Sequence, residues 1–429
     1  MRTVEEHQAI VAALFAEPRP VTVPAAAALG RVLADDVVAG VTLPGFDNSA
    51  MDGYAVIASD IAHATETDPV ILPVAEDIPA GRTDQLTLTP GTAHRIMTGA
   101  PVPAGADAVI QVELTDGGVS EVRINAPVPA GAAIRAAGSD IGAGTRALSS
   151  GRVLHAPQLG LLAALGIAEV AVFAPLRVLV LSTGSELVPA GTPLQYGQIY
   201  ESNGAMLTAA AIEAGAISEQ VHFVPDDVDQ FRARLDEYVD GADGTVVDLI
   251  ITSGGVSAGA YEVVKDALVG HGVEFAKVAM QPGMPQGCGT YTSSGGTAVP
   301  IITLPGNPVS AQVSFEVFVR PALRAAMGLP ASRRTTTASV TEPITSPRGK
   351  RQFRRGELTI ADGVASVRPI GPPGSHHLAF MASANALLDI AADTDRVETG
   401  ADVEVLILED SGPMSTCDNC GHGQTTQTH

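Results

Sequence analysis

Tryptophan is absent from this 429-residue chain, and only ten phenylalanines and six tyrosines are present, so the interior has to be built from Ala, Val, Leu and Ile. Three cysteines are too few for a disulfide framework; that fits a reducing compartment and makes the cytoplasm the expected location. Positive charge is scarce: 25 Lys and Arg stand against 47 Asp and Glu, a net charge of −22. Such a chain lacks the basic face that nucleic-acid phosphates require, and anionic membranes repel it, so neither is an expected partner. Long apolar runs are missing too. The greasiest stretch, 159–176, is interrupted by Gly160, Gly166, Glu169 and Pro175 and reads as a short helix followed by strands. Residues 1–7 show no apolar segment of the kind that opens a signal peptide.

What is present is a well-packed globular composition, 45% apolar and 17% charged, on a chain long enough for two to four domains. Its most informative feature is a pair of glycine-bearing turns. The apolar run Leu249-Ile250-Ile251-Thr252 leads into Ser253-Gly254-Gly255-Val256-Ser257, and Val299-Pro300-Ile301-Ile302-Thr303 leads into Leu304-Pro305-Gly306-Asn307-Pro308. Each reads as a buried parallel strand, a backbone-rich turn and a helix start. In a doubly wound sheet such turns gather at the carboxyl edge of the strands, where glycine lets backbone N–H groups approach a phosphate.

Apolar spacing predicts helices over 4–15, 24–33, 157–165, 202–214, 227–239, 261–268 and 308–327. Between 41 and 137 short alternating runs separated by Pro/Gly turns predict an all-β insertion. From 176 to 329 strands and helices alternate, which predicts a parallel, doubly wound sheet. Strands return near 335–340, 352–360, 364–369 and 403–408, and the polar, Gly- and Thr-rich stretch 411–429 reads as a disordered tail.

Acidic residues accompany the turns. Glu186 follows the buried run 176–181, Asp226 and Asp227 follow a strand ending at Val224, and Glu262 lies just past the first glycine turn. Any one of them is explained by helix capping. As a set beside a phosphate pocket they suit Mg²⁺, which takes oxygen ligands. In the β insertion, Asp47–Tyr54, Thr98 within Met97–Pro101 and Asp140 after Gly138-Ser139 read individually as turn chemistry.

Taken together these motifs resemble the molybdopterin molybdenumtransferases, the MoeA family, from about residue 4 to residue 410. The resemblance rests on Ala28–Leu33, Asp47–Tyr54, Met97–Pro101, Gly197-Gln198-Ile199-Tyr200, Ser253–Ser257, Leu304–Ser310, Gly374-Ser375-His376 and Ala384–Leu387. It implies an α/β multidomain fold: a doubly wound parallel-sheet domain, two mainly β domains and an elongated α+β N-terminal domain. The implied boundaries are 1–45 with 138–174, 46–137, 175–329 and 330–410. It implies insertion of molybdenum from molybdate into adenylylated molybdopterin with release of AMP, a Mg²⁺ cofactor, and a homodimer in contact with a molybdopterin adenylyltransferase and acceptor molybdoenzymes.

Carried over by motif, the catalytic positions are Asp52, Thr98, Asp140, Glu186, Asp226 and Glu262, the last usually Asp in the family. Glu186, Asp226 and Glu262 are the implied metal ligands. Substrate positions are Ser253, Gly254, Gly255 and Ser257 in the first turn, Lys277, and Pro305, Gly306, Asn307 and Pro308 in the second. Molybdate positions are Pro285, Ser310, Arg351 and Ser375.

Departures from the family pattern concentrate in one place. Gln281-Pro282-Gly283-Met284-Pro285 stands where the family commonly has Lys-Pro-Gly-Lys-Pro, so two cations are missing. One reading has Lys277, Arg351, Arg354 or Arg355 compensating, and Met284 also reads as gap filling. Ser139 replaces a usual Glu. Cys288 reads as packing, the His376-His377 pair as phosphate contact or structural pair. Cys417-x-x-Cys420-x-His422 offers three ligands where structural zinc wants four, and reads as solvated tail. Two other readings stay open: the adenylyltransferase that supplies the substrate, and an impaired paralogue serving as cofactor carrier or scaffold.

Overall fold

The computed structural model describes residues 1–184, 186–222, 227–241, 246–254 and 263–409. They form two compact units, one of Thr22–Val172 and one combining Met1–Val21 with the chain from Phe173 onward. The second unit begins with helix α1 (Val4–Ala12), started by a reciprocal cap in which Glu6 N donates to Thr3 Oγ1 and Thr3 N to the Glu6 carboxylate. It is shorter than the apolar spacing predicts because the chain tightens into i→i+3 bonds at Leu14 and Phe15.

The Thr22–Val172 unit is built on a five-stranded sheet: β1 (Gly53–Val56), β2 (Val70–Ile78), β3 (Ala93–Ile96), β4 (Ala108–Gln111) and β5 (Glu121–Ile124), in the order β4-β1-β3-β2-β5. Both faces are covered, since Tyr54 and Val56 enter one core and Ala55 another. Gly53 is required by contact: a Cβ there would lie 1.9 Å from the Ile110 carbonyl oxygen. The helix expected at 24–33 does not form. Ala25–Ala27 makes one 3₁₀ turn, and Val32 and Leu33, both buried, bridge instead to Val153 and Val172. Burying those two side chains in extended pairing outweighs the alanine-rich helix propensity. Helix α2 (Ala156–Ala164) closes the unit.

The second unit carries a six-stranded sheet. Its elements are β6 (Arg177–Ser182), α3 (Asn203–Glu213), β7 (Ile217–His222), α4 (Val228–Val239), β8 (Leu249–Ser253), α5 (Val263–Leu268), β9 (Val273–Lys277), β10 (Pro285–Thr292) and β11 (Ala298–Leu304). The order is β7-β6-β8-β11-β10-β9. Period-two alternation fills both faces: Val178, Val180, Leu249, Ile251 and Ile302 pack with α3, while Leu179, Leu181, Ile250 and Ile301 pack with α4 and α5. The sheet is not wholly parallel. β10 runs antiparallel to both neighbours, because the turn at 293–297 joining it to β11 is too short for a crossover.

The expected helix 308–327 is three pieces: α6 (Pro308–Ser314), a π-helical turn (Phe315–Val319) and α7 (Arg320–Ala325). Pro321 has no N–H to give the Val317 carbonyl, and Gln8 Nε2 of α1 donates to that oxygen at 3.0 Å. Beyond it lie β12 (Thr335–Val340), β13 (Arg351–Ala361), β14 (Val364–Pro369), α8 (Leu378–Ala382), β15 (Ala386–Ile390) and β16 (Asp402–Ile407). Pairing runs β13-β14-β12-β16-β15 and returns to β13, so the sheet closes on itself. The sequence reading missed β10 and β15. Among the described residues no helix is long and apolar enough to cross a membrane.

Candidate functional site

The two glycine turns meet. β8 and β11 are parallel neighbours, and Gly254 N donates to the Leu304 carbonyl at 3.1 Å. Gly254 has φ +101°, a conformation that favours glycine, and a Cβ at Gly306 would lie 3.5 Å from the Gly254 Cα. The turn after β6 joins them, since a Cβ on Gly254 would lie 3.4 Å from the Thr183 carbonyl. Three strand ends therefore converge at one edge of the sheet.

Two side chains at the start of α3 tie these ends together. Asn203 Nδ2 donates to Ser253 Oγ at 2.9 Å and to the Gly306 carbonyl at 2.6 Å. Glu201 Oε1 accepts from Ser182 Oγ at 2.9 Å and from Gly204 N at 2.6 Å, and its Oε2 accepts from Gln220 Nε2 at 2.6 Å. Neither residue was singled out from sequence. The one available signal was position, directly after the Gly197–Tyr200 motif.

Glu186 is exposed, and its carboxylate lies over Gly184, where a Cβ would come within 2.9 Å of both oxygens. Asp226, Glu262, Gly255 and Ser257 lie outside the described residues. Asp227 takes the capping role: its Oδ1 accepts from Gln230 N at 2.8 Å at the start of α4.

A loop from the closed sheet reaches the second glycine turn. Asn307 Nδ2 donates to Ser375 Oγ at 2.9 Å, and Val309 N donates to the Ser375 carbonyl at 3.0 Å. Ser310 is buried on α6 beside them. Arg355 Nη1 donates to the Gly374 carbonyl at 2.9 Å and Nη2 to that of Pro372, while Arg354 Nη2 donates to the Gly371 carbonyl at 2.9 Å. Burial lowers the pKa of both guanidinium groups, and the Nε of each is buried without a partner. Among the described residues no carboxylate pairs with either.

Arg351 behaves differently. It is held by Asp389 through Nε at 2.7 Å and Nη2 at 2.5 Å, and by Glu5 through Nη1 at 2.5 Å. The Asp389 bonds, then its charge and that of Glu5, raise its pKa. It lines a cavity of about 390 Å³ with Glu5, Asp389 and Glu404, acidic walls that do not suit an anion. The arginine bonded to the loop that carries Ser375, through the Gly374 and Pro372 carbonyls, is Arg355, four residues on from the one named by motif.

In the Thr22–Val172 unit, Asp52 and Thr98 come together: Asp52 Oδ1 accepts from Thr98 N and Thr98 Oγ1, each at 2.7 Å. The Thr98 backbone bond, then its hydroxyl, holds the Asp52 pKa below the ordinary carboxylate value. Asp140 is exposed in the turn after Gly138, its N donating to the Leu43 carbonyl. A cavity of about 710 Å³ in this unit is lined by Phe46, Asp47, Ile78, Leu86 and Val102, and Arg82 at its edge is held by Glu76 and Asp84.

Three family regions match the chain: the MoeA N-terminal region (domains I and II) over 2–166, a probable molybdopterin binding domain over 179–325, and the MoeA C-terminal region (domain IV) over 337–408. The chain belongs to the molybdopterin molybdenumtransferase (MoeA) family. It is 58% identical over 413 residues to molybdopterin molybdenumtransferase 2 of Mycobacterium tuberculosis, covering 94% of this chain and 99% of that one. It is 38% identical over 434 residues to molybdopterin molybdenumtransferase 1 of the same organism, covering 96% and 100%. A crystal structure of a molybdopterin biosynthesis MoeA protein from Pyrococcus horikosii superimposes with a TM-score of 0.77 at 31% identity, covering 95% of this chain and 99% of that one. The family works in molybdenum cofactor biosynthesis and is one of transferases. The match of the N- and C-terminal regions, beyond the α/β domain, sets aside the adenylyltransferase reading.

Within this MoeA-family chain, the two positions without lysine are occupied by neutral contacts. Gln281 Oε1 accepts from Gln352 Nε2 at 2.7 Å, tying the 278–285 segment to β13, and Met284 is half-buried with its carbonyl taken by Val278 N. Lys277 is exposed and pairs in register with Pro285 across β9 and β10. Cys288 is buried at 3% exposure, and burial pushes its thiol up to about 11, which fits packing and not nucleophilic chemistry. The tail residues Cys417, Cys420 and His422 lie outside the described residues. Among the described residues no three His, Cys, Asp or Glu side chains are grouped to hold a metal. Of the three expected Mg²⁺ ligands only Glu186 is described; its exposed carboxylate has no hydrogen bond or ion pair among the described residues, so an oxygen donor that fits Mg²⁺ stands free at the strand edge.

Proposed function

We propose that this protein inserts molybdenum from molybdate into adenylylated molybdopterin, with Mg²⁺ and release of AMP. The observation that carries the reading is the junction of the two glycine turns with the Ser375 loop, where Arg355 donates to the Gly374 carbonyl and, among the described residues, pairs with no carboxylate. The second turn, at Gly306 and Asn307, is where this reading places backbone donors for the phosphoanhydride. Ser375 and Arg355 suit a tetrahedral dianion, since a buried guanidinium without a counter-charge favours an anion nearby. Asp52 remains ionised at neutral pH and fixes the Thr98 hydroxyl. Bound Mg²⁺, held by Glu186 and by the sequence-derived Asp226 and Glu262, would withdraw charge from the phosphoanhydride oxygens as AMP leaves.

This reading includes a homodimer and transient contact with the adenylyltransferase that supplies the substrate and with acceptor molybdoenzymes. A second reading, a cofactor carrier or scaffold impaired in catalysis, is favoured by the neutral Gln281 and Met284. Expression in a strain lacking its own molybdenumtransferase tests both. Restored molybdoenzyme activity, with AMP released by the purified protein, supports the enzyme. Molybdopterin binding without AMP release supports the carrier.

A further inference from the structure

We propose that Asn203, supported by Glu201, is a positioning residue that sets the spacing of the two glycine turns and thereby tunes affinity for the phosphate-bearing substrate; the proposal rests on the function just stated. The three-residue segment 201–203 contacts four adjacent strands at one edge of the sheet. Glu201 takes Gln220 on β7 and Ser182 at the end of β6, and Asn203 takes Ser253 at the end of β8 and the carbonyl of Gly306 after β11. Ser182 and Ser253 stand opposite each other in register, yet their hydroxyls are used in opposite senses. Ser182 donates to a carboxylate. Ser253 accepts from an amide, and among the described residues its own proton has no acceptor.

The amide orientation is fixed by chemistry. The Gly306 carbonyl only accepts, so the group 2.6 Å from it must be the Asn203 NH₂, whose second hydrogen serves Ser253. Asn203 Oδ1 is buried and has no donor among the described residues. The arrangement is explained by what the two N–H bonds accomplish: they hold Gly306 and Ser253, which come from turns about fifty residues apart, at fixed separation around a ligand.

The variant Asn203→Asp is nearly isosteric, and an acid in the first turn of α3 suits the helix dipole, so folding is preserved. It places oxygen against the Gly306 carbonyl and draws the Ser253 proton onto itself. Asn203→Ala removes both bonds without that repulsion. With the full-length protein, molybdopterin binding is measured by equilibrium titration, AMP release gives KM and kcat, and thermal unfolding gives the midpoint. We expect Asn203→Asp to raise Kd and KM about ten-fold or more and Asn203→Ala less, with kcat changed less than KM. In the double-mutant cycle, Ser253→Ala should add little to Asn203→Ala. Unchanged Kd in Asn203→Asp, or losses that add fully and follow the unfolding midpoint, would overturn the proposal. If wild-type protein binds molybdopterin but releases no AMP, the enzyme reading fails while the Kd comparison still decides the role of Asn203.

Discussion

At the scale of single residues, the site separates side chains by what already neutralises them. Arg351 is satisfied by Asp389 and Glu5, whereas among the described residues Arg355 holds only carbonyls. Arg355→Met should therefore raise the molybdate concentration needed for half-maximal insertion by about ten-fold or more, the scale of a lost charge-assisted bond. Arg351→Met should leave that midpoint alone and lower thermal stability, because it strands the buried Asp389. A molybdate titration beside a melting curve separates the two. Glu186→Gln tests the metal assignment. The loss of one ligand charge should slow AMP release about a hundred-fold or more with unfolding unchanged, and near-normal turnover would remove Glu186 from the reaction. Met284→Lys adds back a cation that this chain lacks. If the neutral 281–285 segment borders the oxyanion, the molybdate midpoint falls, and falls less at high salt. A midpoint that stays put assigns Met284 to packing.

Among elements, α1 and the π-helical turn form a unit that sequence periodicity did not show. Gln8 serves the Val317 carbonyl released by Pro321, and the His7 ring stands edge-on to Phe318 with centroids 4.6 Å apart. His7 is fully buried, and neither ring nitrogen has a partner among the described residues. Burial, then the charge of Arg2, pushes its pKa down to about 4, with Glu274 opposing. The sign follows from linkage: between the ordinary value near 6.5 and about 4, the unfolded chain binds a proton that the folded one refuses. Stability is thus full above pH 6.5 and declines as pH falls toward 4, by a few kcal/mol at most, since each tenfold change in proton affinity corresponds to about 1.4 kcal/mol. Denaturant unfolding at pH 7 and pH 5 should show this decline in the native protein and a flatter response in His7→Phe. Equal slopes would place the pH dependence elsewhere.

For the whole molecule, a net charge of −22 gives weight to the few sites where positive charge is left uncompensated. It also predicts that association between copies, if the protein is the expected homodimer, strengthens with salt as like charges are screened. Light scattering at micromolar concentration in low and moderate salt checks this, and a monomer in both ends the dimer reading.

The sequence alone determined the strand that ends at Ser253, the strand–turn–helix unit around Gly306, the β texture of 41–137, the family, and the departures at 281 and 284. Those features are local: a buried strand and a glycine turn leave a pattern within a dozen residues. It also named Asp52 and Thr98 separately, and their bond across 46 residues came from folding. Only the tertiary structure decided what depends on distant partners. Asn203 meets Gly306 across 103 residues, Arg351 meets Glu5 across 346, and the antiparallel β10 arises from pairing choices at both its edges. Ala25–Leu33 shows the same competition in reverse, with an intrinsic helical preference giving way to burial of Val32 and Leu33. Local chemistry writes turns and strands into the sequence; which charge is left unpaired is settled only when the chain has closed on itself.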